Sequence, residues 1–449
     1  MREKPSEFLV AESHHAAPPS FVAKTNDRIF YGWIIVAVAS FGVFSSGPGQ
    51  SHTFSAFNEP IARDLGITST TLSLAYALAT LGAAFALPYM GRLVDRFGPR
   101  TMLFAIVSTL GLACLFFGAA ANFLWLALGF GFLRFFGQGS LMLACANLVS
   151  QWFSRSRGLA MSLMALGFGL SMAIHPPLSH FLIESFGWRT AWVILGVITW
   201  ATMLPAIFFL VHNTPESVGL RPDGDAAPKP DERTTAEGEP MPEVRDEIAG
   251  LTLNEALKTP TFYILAAGWC LIAMLVTTLH FHQVKILTTQ GLSAELAASI
   301  FTISAVTMVA MMPVVGRIFD TVKTRYVVAV ALFVTAASLT AITFATSLVP
   351  AIVYAVIFGL NNALSMTMFG YIWPRYFGRK HLGSVQGTGQ LVGVVGASIG
   401  PLPVGLAYDM VGSATGTLVG LALLPAAVAI VTMFALKTPE GILENEKLE

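Results

Sequence analysis

One arginine in the middle of an apolar stretch is the first candidate for chemistry in this chain. Arg134 lies in the run from 123 to 152, roughly 17 Å from its start if the run is helical. A guanidinium at that depth costs roughly 2.5–3.5 kcal/mol even on the mildest insertion scale, and it is well suited to bind a carboxylate through two hydrogen bonds. We therefore expect Arg134 to bind an anion, with Gln138 as a polar partner. The alternative is a structural arginine bonded to carbonyl groups or to Gln138.

Histidines are the second group of candidates. Five of them lie in the outer halves of apolar runs: His52, His175, His180, His280 and His282. Imidazole changes its charge near neutral pH, so we expect His52, His175 and His280 to contact a substrate or carry a proton. The alternative is that each is a hydrogen-bonded wall residue. Gln386 and Gln390 are further candidates for substrate binding, and no spacing of His and Cys predicts a metal site.

Composition indicates what must position these side chains. Of the 449 residues, 54% are hydrophobic and only 12% are charged, whereas soluble proteins carry roughly 25% charged residues. The formal net charge is zero, which leaves no basic field to hold nucleic acid. The sequence therefore predicts a protein embedded in the lipid bilayer, with several crossings.

Apolar runs of about 20 residues occur twelve times, as a membrane helix requires. They cover 30–55, 72–92, 101–121, 123–152, 158–183, 190–212, 261–284, 295–315, 326–346, 349–374, 384–408 and 414–436. The predicted fold is an all-α membrane protein of twelve transmembrane helices in two six-helix halves. We expect helix breaks at FSSGPGQSH (44–52) and AIHPPLSH (173–180), where Gly and Pro interrupt the pattern.

Segment boundaries follow from the same pattern. We expect a tail at 1–27, one half at 28–212, a polar linker at 213–259, a second half at 260–437 and a tail at 438–449. A short interfacial helix is predicted within 251–262, just before the seventh run. The beginning of the chain lacks the pattern of a cleaved signal peptide, so the first run should be retained.

Positive charges predict the orientation. Of the 26 Lys and Arg residues, 22 fall on the side of the tails and the linker, three fall on the other side, and Arg134 lies within a run. Cytoplasmic loops carry the excess of positive charge. We expect a multi-pass protein of the cell membrane, the inner membrane in a bacterium, with both termini and the linker in the cytoplasm.

An internal repeat divides the chain into two related parts. A shift of 225 residues aligns Gly, Pro and charged positions over some 120 residues. The aligned pairs are Gly66 and Gly291, Gly91 and Gly316, Arg92 and Arg317, Asp95 and Asp320, Arg100 and Arg325, Gly158 and Gly383, Pro176 and Pro401, Glu184 and Asp409, and Gly187 and Gly412. Two parallel repeats of six helices predict a substrate site between the halves.

The loops after the second and eighth runs contain related motifs, GRLVDRFGPR (91–100) and GRIFDTVKTR (316–325). Gly91 should let two helices approach closely, and Asp95 can pair with arginines and helix N-termini. The first motif resembles the G-x-L-x-D-R-x-G-R signature of the major facilitator superfamily. The resemblance implies a conformational latch formed by Gly91, Arg92, Asp95, Arg96, Arg100, Arg317 and Asp320. Asp95 should matter more than Asp320, because only the first copy keeps nearly the whole motif.

A narrower resemblance points to one branch of that superfamily. The segment WFSRSRGLAMSLMALG (152–167) is similar to the monocarboxylate transporter signature, with Ser162 in place of its Gly. The segments YGW (31–33), FGWRTAW (186–192) and PESVGLRPDGD (215–225) are like those of bacterial members, which include oxalate–formate antiporters. The chain departs from the branch at 295–315, which holds no Asp, Glu, Lys, Arg or His beyond Glu295 at its edge, and at 384–408, which holds none, whereas relatives carry charges there. A dicarboxylate substrate is therefore disfavoured.

These observations predict a secondary active transporter of a small organic anion, a monocarboxylate by the resemblance, coupled to protons or to a counter-substrate. The chain has no GxxxxGK[ST] motif, so ATP is not expected to drive it. We expect no enzymatic activity, no cofactor, no metal and no obligate protein partner. Two alternatives stay open. One is a proton-coupled antiporter exporting a neutral or cationic compound, because RFFGQG (134–139) resembles a motif of such proteins. The other is a transporter-like receptor.

Overall fold

The computed structural model describes residues 20–153, 156–224, 250–378, 382–437 and 439, and these are helical almost throughout. The helices before the linker are α1 (Ser20–Asn26), α2 (Gly32–Ser45), α3 (Ser51–Leu65), α4 (Ser69–Phe97), α5 (Pro99–Gly118), α6 (Phe123–Leu133), α7 (Met142–Trp152) and α8 (Arg157–Leu210). A 3₁₀ turn at Gly47–Gly49 separates α2 from α3, and a π-helix at Arg134–Leu141 joins α6 to α7.

The second part of the chain repeats this order. Its helices are α9 (Leu253–Ala256), α10 (Pro260–Thr289), α11 (Ala294–Thr321), α12 (Thr324–Ile342), α13 (Leu348–Phe377), α14 (Leu382–Ile399), α15 (Pro401–Val411) and α16 (Thr415–Ala435). Pro401 at the first turn of α15 follows the break after Ile399, since proline fits a helix start but not its interior.

Twelve crossings follow from these helices. Eleven helical segments of the described chain are long and apolar enough to span a bilayer. One of them, Leu159–Leu210, has 52 residues, so at 1.5 Å per residue it is about 78 Å long, more than twice the roughly 30 Å hydrocarbon core. Gly187 interrupts it with φ 78° and ψ 158°, which divides it into two crossings. The predicted all-α fold with twelve transmembrane helices is confirmed.

We number the crossings as spans 1 to 12. Span 1 is α2 with α3, span 2 is α4, span 3 is α5, span 4 runs from α6 to α7, and spans 5 and 6 are the two parts of α8. Spans 7 to 10 are α10 to α13, span 11 is α14 with α15, and span 12 is α16. The linker face is the membrane face on which residues 213–259 emerge, and the distal face is the opposite one.

The internal repeat reappears in the backbone. Gly66 and Gly291 both end a helix at the distal face with positive φ, 63° and 99°. Gly187 and Gly412 form a second pair, with φ of 78° and 72°. An L-residue with a side chain rarely adopts these angles, which explains why glycine occurs at both copies of each turn.

Glycines also set the closest helix crossings. A Cβ atom on Gly167 would meet the backbone carbonyl of Ser40, and one on Gly400 would meet that of Met274. The four glycines at 389, 393, 396 and 400 all face close neighbours on α10 or α13. Their spacing of three and four residues puts them on one face of the helix, which therefore packs closely.

The two halves meet on the distal side of the membrane. Helix α3 packs on α10, α4 packs on α15, and α8 packs on α11. Near the linker face, Gly91 and Gly316 have open space beside them. The close helix approach expected at Gly91 is therefore wrong for this conformation, because no described atom of another helix lies within 4 Å of where a Cβ would be.

Two other expectations need correction. The motifs at 91–100 and 316–325 are largely helical rather than loops, because α4 continues to Phe97 and α11 to Thr321. Helix α8 keeps helical dihedral angles through Pro176 and Pro177, so no break occurs at 173–180. Each proline removes one backbone donor, which this helix tolerates without leaving helical dihedral angles. The break predicted at 44–52 is confirmed by the 3₁₀ turn.

Boundaries differ where polar residues lie on helices. Span 1 ends at Leu65 rather than near 55, because its last turns contain charged residues that an apolar pattern leaves out. A helix, α1, occupies part of the predicted tail, and the predicted interfacial helix is only the four residues of α9, with a capping box at Thr252 and Glu255. Most of both tails and residues 225–249 of the linker lie outside the described residues, as do the side chains of Asp95, Arg157 and Asp320 and all of Arg155.

Candidate functional site

Arg134 lies buried in the N-terminal half, with 4% of its surface exposed. Its Nη1 donates to the carbonyl oxygen of Gly49 at 3.0 Å and to Ser51 Oγ at 3.4 Å. Its Nε donates to Thr80 Oγ1 at 3.2 Å. The guanidinium thus ties span 4 to spans 1 and 2 near the middle of the membrane.

A local break in span 1 creates the acceptor for this arginine. Thr53 N donates to Gln50 O, so the Gly49 carbonyl is not used by the helix and is free to bind Arg134. Gly49 also touches span 4 closely, since a Cβ atom there would meet the backbone of Leu133 and Gln138. The GPG sequence therefore supplies both the free carbonyl and the close approach.

Span 4 is also irregular where it contacts Gly49. Residues Arg134–Leu141 form a π-helix, which is rare and frequently found at functional sites. Sequence reasoning singled out RFFGQG (134–139) but did not predict this geometry. The only local signal is the pair Gly137 and Gly139, which weakens the α-helical preference there.

The charge of Arg134 has no acidic partner in the described parts of the chain. The acids of span 1 are engaged at the distal end, where Glu59 contacts Arg63 and Asp64 contacts Arg189. The face of the Tyr76 ring lies 5.0 Å from the guanidinium carbon, close enough for a cation–π contact. Tyr76 OH is 2.7 Å from Ser51 Oγ, which holds the ring in place. The Gly49 carbonyl, the hydroxyl groups of Ser51 and Thr80 and the face of the Tyr76 ring stabilise this guanidinium. No carboxylate of the described residues does so.

Three predicted histidines come together between the halves. His52 Nε2 is 3.1 Å from Ser171 Oγ, which is 3.2 Å from His175 Nδ1. The rings of His52 and His280 have centroids 5.9 Å apart, across the boundary between the two halves. We call His52, His175 and His280 the histidine triad. Ser171, which connects two of them, was missed because a serine in an apolar helix carries no pattern of its own.

Other predicted binding residues lie apart from these groups. Gln138 is half-buried on the π-helix and is not a hydrogen-bond partner of Arg134. On α14, Gln386 is half-buried and Gln390 is exposed. Neither glutamine of α14 bonds to the triad in the described structure.

The predicted latch residues are dispersed at the linker face. Arg92 and Arg317 are exposed at the ends of α4 and α11, and Arg96 lies over the Phe97 ring. Arg100 donates to the Phe208 carbonyl oxygen at 2.6 Å, which joins spans 3 and 6 within one half. No described contact of these arginines crosses to the other half.

A contact that sequence reasoning did not predict joins the halves at the distal face. The carboxylate of Asp409 accepts hydrogen bonds from Ser69 N at 3.0 Å and Thr70 N at 2.7 Å, at the N-terminus of α4. Lys285 bonds to Ser69 Oγ and lies 3.8 Å from Glu59. We call the bonds of Asp409 and Lys285 to α4 the distal contact. The repeat drew attention to Asp409 but gave it no partner.

Buried polar groups in the C-terminal half were also missed. Tyr354 OH donates to Gln283 Oε1 at 2.7 Å, and Thr335 Oγ1 donates to Asn361 Oδ1 at 2.8 Å. Asn362 is fully buried beside them. Neutral amides give no charge signal in an apolar sequence, so only the fold reveals these buried hydrogen bonds.

Comparison with known proteins now places the chain in a family. The model of the Major Facilitator Superfamily matches residues 39–401 and 283–448. The chain belongs to the major facilitator superfamily. The predicted membership is confirmed, and because this superfamily consists of transporters the protein is not an enzyme.

Relatives within the superfamily have diverse names. Monocarboxylate transporter 11 of Mus musculus is 28% identical over 62% of this chain and 56% of the relative. A probable hexose phosphate transport protein of Chlamydia pneumoniae is 30% identical over 46% of this chain and 43% of the relative. An uncharacterized 38 kDa protein of Thermoproteus tenax is 26% identical over 87% of this chain and 93% of its own. The match spans little more than half of the mouse relative's length.

Solved structures share the fold of this superfamily member. A bacterial homolog of the human lysosomal transporter Spinster, in an inward-facing and unoccupied conformation, superposes with a TM-score of 0.62 at 15% identity. The superposition covers 90% of this chain and 95% of that one. Two six-helix halves around a central path are thus the architecture of this protein.

Proposed function

We propose that this major facilitator protein is a secondary active transporter of a small organic anion, of the monocarboxylate class, and that Arg134 binds the substrate carboxylate. One observation carries the proposal: a fully charged guanidinium is buried at mid-membrane without a carboxylate partner among the described residues. An anion that enters the central path offers the missing countercharge.

The described hydrogen bonds of Arg134 leave donors for such an anion. Its Nε and Nη1 bind Thr80, Gly49 and Ser51, while the two N–H groups of Nη2 make none of the described hydrogen bonds. A carboxylate pairs well with a guanidinium whose orientation is already fixed, since little side-chain entropy is lost on binding. The contacts to spans 1 and 2 supply that orientation.

The names of relatives agree with an anionic substrate without deciding its identity. Monocarboxylates and hexose phosphates, which appear in those names, are anions at neutral pH, whereas a riboflavin transporter also appears. A cationic substrate is disfavoured here, because it would be repelled by the unpaired charge of Arg134.

Alternating access in this proposal uses contacts at the two faces in turn. The distal contact holds the halves together on one side in the present conformation. When the distal side opens, we propose that the linker-side residues Gly91, Arg92, Asp95, Arg96, Arg100, Arg317 and Asp320 hold the other side closed. The open space beside Gly91 is then filled by the approaching half.

The proposal includes the orientation predicted from the charges, with the linker face and both termini in the cytoplasm of a cell membrane. A single cysteine at Thr235, with Cys114, Cys145 and Cys270 replaced by alanine, tests it. An impermeant maleimide should leave Thr235→Cys unlabelled in intact cells and label it after permeabilisation. Labelling in intact cells would contradict the orientation.

Ligand-induced stabilisation tests the substrate class. Purified protein in detergent is heated with lactate, pyruvate, acetate or benzoate, and with the neutral amide of each acid. We expect at least one acid to raise the melting temperature and its amide to leave it unchanged, because binding to the native state stabilises it and only the acid can pair with Arg134. Stabilisation by an amide as large as that by its acid would contradict the anion proposal.

A further inference from the structure

The histidine triad has a geometry that anion binding by Arg134 does not explain. Its three rings come from spans 1, 5 and 7, so two belong to the N-terminal half and one to the C-terminal half. All three side chains are buried, with 1% to 5% of their surface exposed. A metal is not the explanation, since no group of His, Cys, Asp or Glu among the described residues could hold one.

The two rings of the N-terminal half form a hydrogen-bonded chain. His175 Nδ1 is also 3.2 Å from the Ser171 carbonyl oxygen, to which it can donate. Ser171 Oγ can then donate to His52 Nε2. This order leaves both imidazoles neutral and connects them through one hydroxyl group, a path along which a proton can move.

The ring of the C-terminal half is held differently. His280 packs against the rings of Phe358 and Phe301, with centroid distances of 4.9 Å and 6.1 Å. Its Nε2 is buried without a hydrogen-bond partner. An imidazolium in this apolar place would be neither hydrated nor paired, so His280 is neutral while the distal side is closed.

Within the described parts of the chain, no acid contacts the triad to offset added positive charge, since Glu59, Asp64 and Asp409 are engaged at the distal face. The other titratable or charged groups near it on the packed elements are Arg134, whose charge acts on His52, and Tyr76 in the N-terminal half, and His282 and Tyr354 in the C-terminal half. Glu59 and Lys285 lie on the same helices but pair with each other at the distal face. Arg134 is the fixed charge nearest to the triad, and it is positive. A second proton in the closed triad would therefore add to existing repulsion.

We propose that the histidine triad, with Ser171 as its link, is a proton-binding site split between the two halves, which gains protons when the distal side opens and loses them when it closes empty. This inference rests on the proposed transport function, because it names the ion to which transport is coupled. Opening separates His280 from His52 and exposes both rings to water. Each ring can then hold a proton that the closed arrangement excludes.

The coupling works in both directions. If opening raises the affinity for protons, then protons must shift the equilibrium toward the distal-open state by the same factor. A bound carboxylate changes the balance, because its negative charge offsets an imidazolium during closure. The distal side then closes in two states only. Either the substrate site is empty and the triad is deprotonated, or the anion and the proton are both bound, which is the condition for symport.

Distances across the distal face test the proposal without any substrate. Ala121 and Thr346 are repeat-related, exposed residues in distal turns of the two halves. With the native cysteines replaced by alanine, spin labels at Ala121→Cys and Thr346→Cys are measured in lipid nanodiscs by pulsed electron resonance. Between about pH 8 and about pH 5.5 the ratio of long to short distances should rise at least about tenfold, since one linked proton gives up to about tenfold per pH unit. An unchanged distribution would overturn the proposal.

Variants assign the response to the triad. His280→Gln and His52→Gln should each flatten most of the pH dependence of the distances. His180→Gln, which changes a histidine on the same helix as His175 but outside the triad, should keep the wild-type response. A wild-type response in both triad variants, or a loss in His180→Gln as large as theirs, would contradict the assignment.

The same samples separate this inference from the anion proposal. Lactate is added at constant pH in a second series, which reports anion binding rather than protonation. If the distance between the two spin labels changes with pH but not with lactate, the triad is supported as the proton site, whatever the substrate is. A distance that responds to lactate but not to pH overturns the triad while the anion proposal stands.

Discussion

Replacing Arg134 with glutamine is expected to weaken anion binding at least about 30-fold while the protein still inserts and folds. The substitution removes the only charge that the described residues place near mid-membrane, and the glutamine amide, attached where Nε is, can still bond to Thr80. Truncating one partner of a buried charge pair costs about 2–5 kcal/mol, which corresponds to a roughly 30-fold to several-thousand-fold weaker affinity. The affinity of the acid found by thermal stabilisation, measured by calorimetry, checks this.

Folding should not suffer from the same change. A buried arginine without a counterion costs free energy in the membrane, so Arg134→Gln should melt at a temperature no lower than that of the unliganded wild type. This separates a binding role from the structural alternative, in which the arginine only bonds to carbonyl groups.

Arg134→Lys is the matched control for charge. It keeps a positive group but cannot reach Gly49, Ser51 and Thr80 with a planar fork, and it cannot pair with a carboxylate through two parallel bonds. We expect weak but measurable binding. Wild-type affinity in the glutamine variant would show that Arg134 is structural, and the alternative of a neutral substrate would then be favoured.

Replacing Asp409 with alanine is expected to open the distal side. Its carboxylate accepts two backbone hydrogen bonds at the N-terminus of α4, where the helix dipole also favours negative charge. Since the side chain is largely exposed, we discount this to about 1–2 kcal/mol, or a roughly fivefold to thirtyfold shift toward the distal-open state. The labels at Ala121→Cys and Thr346→Cys measure it.

Glu184→Ala provides the control that the repeat itself offers. Glu184 is the repeat-related acid of the other half and is exposed, so its removal should leave the distance distribution unchanged. Asp409→Asn should have an intermediate effect, because one carbonyl oxygen can still accept a bond. If Asp409→Ala and Glu184→Ala give the same distribution, the distal contact does not hold the halves together.

Much of this fold could be predicted because membrane helices are encoded by simple patterns. Apolar runs gave all twelve crossings, and the repeated glycines at 66 and 291 end the same turn in both halves. The ends of spans were harder, as in α3, where charged residues continue a helix beyond the apolar run. Hydropathy reflects the free energy of transferring side chains to lipid. The end of a helix depends instead on where its backbone hydrogen bonds stop.

The candidate site was predictable only in part, for a similar reason. Arg134 and the histidines stood out because ionisable groups in apolar runs are rare, and the structure brings His52, His175 and His280 together. The hydrogen-bond partners of these side chains could not be predicted. The Gly49 carbonyl and Ser171 are common groups, and only the folded structure places them beside Arg134 and the histidines. The π-helix and the bond of Asp409 to α4 depend on contacts between distant segments, which periodicity does not contain.

The central claim is that this protein carries a small organic anion by means of Arg134, and uptake into proteoliposomes tests it most directly. Liposomes containing wild type or Arg134→Gln receive the radiolabelled acid identified by thermal stabilisation, with and without an inward proton gradient. We predict saturable uptake by wild type that the gradient accelerates and unlabelled acid inhibits, and no uptake above empty liposomes by Arg134→Gln. Uptake by Arg134→Gln at the wild-type rate, or wild-type uptake no faster than empty liposomes, would contradict the account.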